Sequence, residues 1–212
     1  WDGTLADTKQ VILFSFHQAL KKTVGLDETD EFIEHRIGVG AKETFKEILK
    51  AKGIGANPAL IGKLVKIKTE VQIEKKGDVK LFPGSVALLE SLNGRVKIGL
   101  ASMNSREVIC KMVEVLNVSK FFNIILTVDE VSKSKPDPEI FLKTAQDLGS
   151  MPERCVVVED SIFGVKAAKA AGMGCVAVTQ GAYSQVELKE ANPDLIVSSL
   201  QDKKVILDFI LN

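Results

Sequence analysis

Three cysteines, two histidines, one tryptophan and one tyrosine among 212 residues leave little material for several common chemistries. Cys110, Cys155 and Cys175 are odd in number and lack CxxC or Cys/His metal spacing, which favours buried reduced thiols over a disulfide framework. An excess of one charge is absent as well. Lys plus Arg (28) cancels Asp plus Glu (28), so the basic surplus of a nucleic-acid or anionic-membrane binder is missing and a small-molecule substrate is favoured. Long hydrophobic runs are also lacking: the longest dense one, Val11 to Phe16, falls far short of the roughly 18 residues of a membrane span. With no charged-then-apolar leader at the start, a cytoplasmic location is expected.

What is present is enough apolar material, 45% of residues, to bury the core of one compact domain with a modest insertion. Residues 85–200 repeat one phrase, a short β-rich run followed by a loop and a helix-period segment. Strands are predicted at 96–101, 124–127, 156–158, 175–178 and 195–197, with helices near 85–93, 105–116, 138–148 and 162–171. Such alternation implies an α/β fold, a doubly wound, Rossmann-like parallel sheet covered on both faces. Residues 9–80 differ, because four helical patterns follow one another with no strand between them. In the fourth, Asn57 caps, Pro58 opens the helix, and Leu60, Leu64, Ile67 and Val71 share a face. The reading is therefore a core of residues 1–10 and 80–212 with an inserted all-helical domain of 11–79.

Active sites of open α/β sheets lie beyond the carboxyl ends of the strands. Residues there form a set: Asp2-Gly-Thr-Leu5, Ser102 with Met103 and Asn104, Lys135-Pro136, and Glu159-Asp160-Ser161. Two adjacent acids after Val156-Val-Val158 need a counter-ion, and Mg²⁺ meets that need; capping the next helix is the plainer alternative. Ser102, opening a helix after a strand, suits phosphate oxygens or serves as an ordinary cap. Alone, Lys135 reads as a solvated loop lysine and Asp2 as a turn aspartate. Arg36, near Gly38 and Gly40, reads either as a group facing a substrate or as a solvated arginine. His17 and His35 are expected to be structural.

In this order, Asp2-Gly3-Thr4, Ala101-Ser102-Met103-Asn104, Ser134-Lys135-Pro136-Asp137 and Val158-Glu159-Asp160-Ser161 resemble the four motifs of the haloacid dehalogenase superfamily, in its capped phosphatase and β-phosphoglucomutase-like branch. The resemblance implies a Mg²⁺-dependent phosphatase acting on a small soluble phosphate monoester through an aspartyl phosphate. By resemblance Asp2 is the general acid and base and, through its carbonyl, a metal ligand with Glu159 and Asp160. Lys135 contacts nucleophile and phosphoryl oxygens, Ser102, Met103 and Asn104 bind phosphate, and Thr4 braces the first loop. The helical insert would be a cap that closes over the site. A phosphomutase is the alternative, although Ile12 stands where that enzyme's hinge histidine belongs; a catalytically inactive binding module is the other. The family's nucleophilic aspartate falls immediately ahead of Trp1. An apolar strand ending in Asp is therefore expected to precede Trp1, with a strand or a strand-shaped gap between residues 96–101 and 156–158. Oligomeric state is left open.

Overall fold

A computed structural model describes residues 1–211. Strand β1 (Ala6–Asp7) leads into helices α1 (Lys9–Val24), α2 (Asp30–Glu34), α3 (Ala41–Ala51) and α4 (Pro58–Glu74), and β2 (Lys80–Leu81) returns antiparallel to β1, with Ala6 opposite Leu81. The four helices enclose an apolar cluster of their own, built on Phe16, Leu20, Ile33, Phe45, Ile48 and Leu64. Since α1 begins at Lys9, the helical part starts two residues earlier than the sequence pattern suggests.

Helix α4 starts as its sequence dictates: Asn57 accepts the Leu60 amide at 2.9 Å, and Pro58 occupies a first-turn position whose missing amide costs nothing. Its inward face is nevertheless rotated from the one the apolar residues mark. Ile61, Leu64, Lys68, Val71 and Gln72 are buried, whereas Leu60 and Ile67 are only partly so. The helix packs against the α/β half as well as against its own domain, and the polar residues at 68 and 72 lie on the shared side.

The remainder alternates as expected: α5 (Ser85–Leu92), β3 (Gly99–Ala101), α6 (Arg106–Val115), β4 (Ile124–Leu126), α7 (Glu139–Asp147), β5 (Val156–Glu159), α8 (Ile162–Ala170), β6 (Gly174–Val178), α9 (Gln185–Glu190), β7 (Leu195–Val197) and α10 (Lys203–Leu211). β3 is shorter than predicted because residue 98 is bound instead by the Asn123 side chain, which accepts the Ile98 amide at 2.7 Å. The pair β1 and β2 and the helices α9 and α10 were not among the predicted elements. α7, α8 and α9 cover one face through Ile140, Val165, Ala168 and Leu188; α5 and α10 cover the other through Leu88, Leu92 and Ile206. This is the doubly wound α/β fold.

All strand pairs of the core are parallel, but they form two sheets, β3–β4 and β5–β6–β7. No ladder joins β3 to β5 among the described residues. Among the described residues, no helix is long and apolar enough to cross a membrane.

Candidate active site

The first loop is shaped by its own backbone. The Trp1 carbonyl accepts the amides of Thr4, Leu5 and Ala6 at 3.0–3.2 Å, and Gly3 adopts a φ of 76°, open to glycine at little cost. A second reason for glycine is steric: a Cβ at Gly3, or at Gly181 after β6, would sit 2.1 Å from Asp160 Oδ2. The Asp160 carboxylate is thus held between two bare backbones, while Thr4 Oγ1 donates to its Oδ1 at 2.7 Å. Gln180 donates to the Thr4 carbonyl at 2.5 Å and accepts the Leu200 amide at 3.3 Å, tying the loop to the segment beyond β7.

Glu159 ends β5 and folds back over the start of α8. Its carboxylate takes an ion pair from Lys135, a hydrogen bond from Ser161 Oγ at 3.1 Å and the amides of Asp160 and Ser161 at 3.2 and 3.3 Å. A Cβ at Gly164 would collide with it at 2.0 Å, so glycine in the first turn of α8 is what makes the fold-back possible. Burial, the largest influence, would raise the Glu159 pKa, but the charge and hydrogen bond of Lys135 together with the other neighbouring donors outweigh it and hold the group below the usual carboxylate range. Asp160 behaves oppositely. Burial, and then the Glu159 charge, push it up to about 7. One of two adjacent acids has a cation and the other lacks one.

Ser102, after β3, accepts the Asn104 amide at 3.1 Å and points its hydroxyl at Asp2 Oδ2, 3.4 Å away. Asp2 Oδ1 is buried with no hydrogen-bond partner. Asn104 accepts from Ser105 N at 3.1 Å and from Lys68 Nζ at 3.2 Å. Lys68 is 5% exposed, bonds Gln72 on the next turn of α4, and has its pKa lowered to about 8 by burial, with the Asp2 charge working the other way. This lysine was absent from the sequence reading; the detectable signal is a lysine and a glutamine, four residues apart, interrupting an otherwise apolar helix face.

The structure brings Asp2, Ser102, Met103, Asn104, Lys135, Glu159 and Asp160 around one cavity of about 40 Å³, with Arg36, Ile12 and Lys68 contributed by the helical half. Thr4 stands behind it, bracing Asp160. Arg36 is the least free of these: its Nε donates to Glu47 at 2.7 Å and its guanidinium lies 4.4 Å from the Phe32 ring centroid. Neither histidine enters the cavity. His17 bridges Asp27 and Asp30, and His35 stands against Tyr183.

Among the described residues, no three His, Cys, Asp or Glu side chains converge on one metal-sized point. Glu159 is directed at Lys135 and Ser161, its carboxylate engaged by an ammonium and three other donors. Mg²⁺ nonetheless suits what remains, since it is commonly held by one or two carboxylates with waters and substrate phosphate. The cradled, cation-deficient Asp160, beside the backbone of the first loop, is that kind of donor, and the orphaned Oδ1 of Asp2 stays available for proton transfer.

Residues 1–178 match the family described as haloacid dehalogenase-like hydrolase. A phosphorylated carbohydrates phosphatase of Thermotoga maritima is 31% identical over 81% of this chain and 79% of its own. The protein CbbY of Cereibacter sphaeroides is 29% identical over 95% of this chain and 90% of its own. Among solved structures, a hydrolase from Pseudomonas syringae superposes with a TM-score of 0.91 at 24% identity, covering 100% of this chain and 96% of that one, a likeness of fold. The chain belongs to the haloacid dehalogenase-like hydrolase family and is a phosphoric monoester hydrolase within it.

Proposed function

We propose that the protein is a Mg²⁺-dependent phosphatase of small soluble phosphate monoesters, phosphorylated carbohydrates being the class to test first, and that it works through an aspartyl phosphate. The observation that carries this reading is the convergence of Asp2, Ser102, Lys135 and Asp160 on one cavity, with an Asp2 oxygen left unpartnered.

Asp160 and the Asp2 carbonyl would hold Mg²⁺, which when bound offsets the charge of the phosphate. Lys135, fixed by Glu159, and the Ser102 hydroxyl take phosphoryl oxygens. The attacking carboxylate would be the family's nucleophilic aspartate, which by resemblance stands two residues ahead of Asp2 in the motif. Attack forms a carboxyl–phosphorus bond as the ester P–O bond breaks, and Asp2 gives its proton to the departing alkoxide. Asp2 then accepts a proton from the water that attacks phosphorus, and the carboxylate is released with inorganic phosphate. The helical half acts as a cap that shields these steps.

Ile12, the position at which a phosphomutase would carry its histidine, is buried and lines the cavity as an apolar group, which supports hydrolysis over phosphoryl return. The three cysteines are unpaired, in keeping with a reducing compartment such as the cytoplasm. The test is phosphate release by the native polypeptide from p-nitrophenyl phosphate and a set of sugar phosphates, with Mg²⁺ and with EDTA. Mg²⁺-dependent release is expected. Metal-independent turnover, or no turnover of any phosphate monoester, overturns the reading.

A further inference from the structure

In the described state the helical half is seated on the α/β half beside the site: a Cβ at Gly40 would already touch the Met103 carbonyl at 3.5 Å, and residues of both halves line the one cavity. The two halves are joined covalently at β1 and β2. Besides the Lys68–Asn104 hydrogen bond at 3.2 Å, a polar connection remote from that hinge lies at the turn between α2 and α3. There Tyr183, from the loop after β6, donates its hydroxyl to the His35 carbonyl at 2.7 Å. The His35 ring stands edge-on to the Tyr183 ring, with centroids 5.4 Å apart and planes at 87°, and its Nε2 lies 3.6 Å from Glu187 Oε1 on α9. Three residues after His35, Gly38 comes so close to Ser161 that a Cβ there would meet its Oγ at 3.0 Å.

Tyr183 is 5% exposed, and burial pushes its phenol up to about 12, so it keeps its proton through the working pH range. The loop that carries it has a second engagement. Gln180 and Gly181, three and two residues earlier, hold Thr4 and flank Asp160. One short loop thus touches both the metal-binding acid and the tip of the cap.

We infer that Tyr183 is a positioning residue that latches the cap: its hydroxyl holds the His35 carbonyl, making the closed form the resting state and tying closure to the loop that seats Asp160. This rests on the reading of residues 9–79 as a cap that must open for substrate. Because substrate binds only the open form, its apparent affinity is reduced by the fraction that is open.

The experiment is Tyr183→Phe in the native polypeptide, a change that retains the ring and removes only the hydroxyl. Amide exchange at residues 36–40 is expected to quicken by ~2–12-fold, the worth of one hydrogen bond, while exchange in β6 is unchanged. KM for p-nitrophenyl phosphate should fall by a similar factor with no fall in kcat/KM. A residue that merely supports the fold would raise KM or quicken exchange in β6 as well. Any result other than faster exchange confined to the turn together with a lower KM overturns the latch. The exchange measurement needs no substrate, so a wild-type protein without phosphatase activity would overturn the proposed function while leaving the closed state measurable.

Discussion

In the α/β half, the polar groups of the site reach the cavity from loops at strand ends, and each is fixed by another: Thr4 on Asp160, Lys135 on Glu159, Ser102 by the Asn104 amide. In the helical half, Lys68 reaches the same cavity from the middle of α4 and Arg36 from beside a short helix, each held by partners of its own domain, Gln72 and Glu47. The first half is preorganised whatever the cap does. On the proposed reading of the helical half as a cap, the second delivers charge only when it closes. Chemistry and selection of the leaving group are therefore separable, and substitutions in the two halves should fail in different kinetic parameters.

The largest effect is expected at Asp2. Asp2→Asn keeps the shape and the carbonyl but cannot transfer a proton, so kcat should fall by ~10²–10⁴ with every substrate alike. Phosphorylated enzyme should accumulate with an activated ester, because the water step also needs this carboxylate. Steady-state kinetics across a small aryl ester and a sugar phosphate check it; a loss confined to one substrate would erase the division between the halves.

Lys68 comes next, in the opposite direction of the comparison. Lys68→Met removes an ammonium whose task is to meet the leaving group or its neighbours, and KM for sugar phosphates should rise about 10–100-fold, the worth of a hydrogen bond to a charged group. Stability should move the other way. A lysine whose pKa falls to about 8 on folding opposes the fold while it is charged, fully so below that value and decreasingly towards its unfolded pKa near 10.5, so the variant should melt higher at neutral pH. A variant that loses both substrate affinity and stability would show Lys68 to be structural.

These two residues also mark what could be read in the sequence. The doubly wound core was legible because buried parallel strands write themselves as runs such as Val156-Val-Val158, and Asp2, Ser102, Lys135 and Asp160 were legible because strand ends are where such folds do chemistry. Lys68 was not. Apolar periodicity ranked Leu60 and Ile67 above it, and only the packing of α4 against the other half reveals that the buried face is turned toward residues 68 and 72. Glu159 was legible as an acid at the site but not by its task, since whether a carboxylate faces a cation or a lysine depends on the fold-back that Gly164 permits. Tyr183, nearly 150 residues from His35 in the chain, had no local signature at all.

A smaller effect concerns Asp160. Its folded pKa, raised to about 7, lies above the ordinary value of 3.8, so the folded state binds the proton more tightly and stability should decline as pH rises from one value to the other. Mg²⁺ opposes that decline only where the carboxylate is ionised. The rise in Tm on adding Mg²⁺ should therefore be greater at about pH 8.5 than at about pH 5.5, and Asp160→Asn should remove the difference. Thermal shift at the two pH values measures it.

The smallest effect is in the cap, and the cap's own chemistry allows it to be isolated. His17 has Asp27 at one ring nitrogen and Asp30 at 2.7 Å from the other, an arrangement in which both nitrogens donate only if the ring is protonated. Burial works against that charge, but the hydrogen bonds and charges of Asp30 and Asp27 outweigh it, and the pKa stands above its ordinary 6.5. A raised histidine contributes fully below its unfolded pKa and loses its contribution as pH climbs through the folded one. The acids are largely exposed, so the change in Tm should be at most about 2 °C. It shares its direction with the Asp160 decline, and saturating Mg²⁺ separates the two: with the Asp160 slope suppressed, the residual fall in Tm between about pH 6 and pH 8.5 should vanish in His17→Gln. If the slope survives that substitution, the α1–α2 connection does not depend on the imidazolium, and the cap owes its rigidity to its apolar cluster alone.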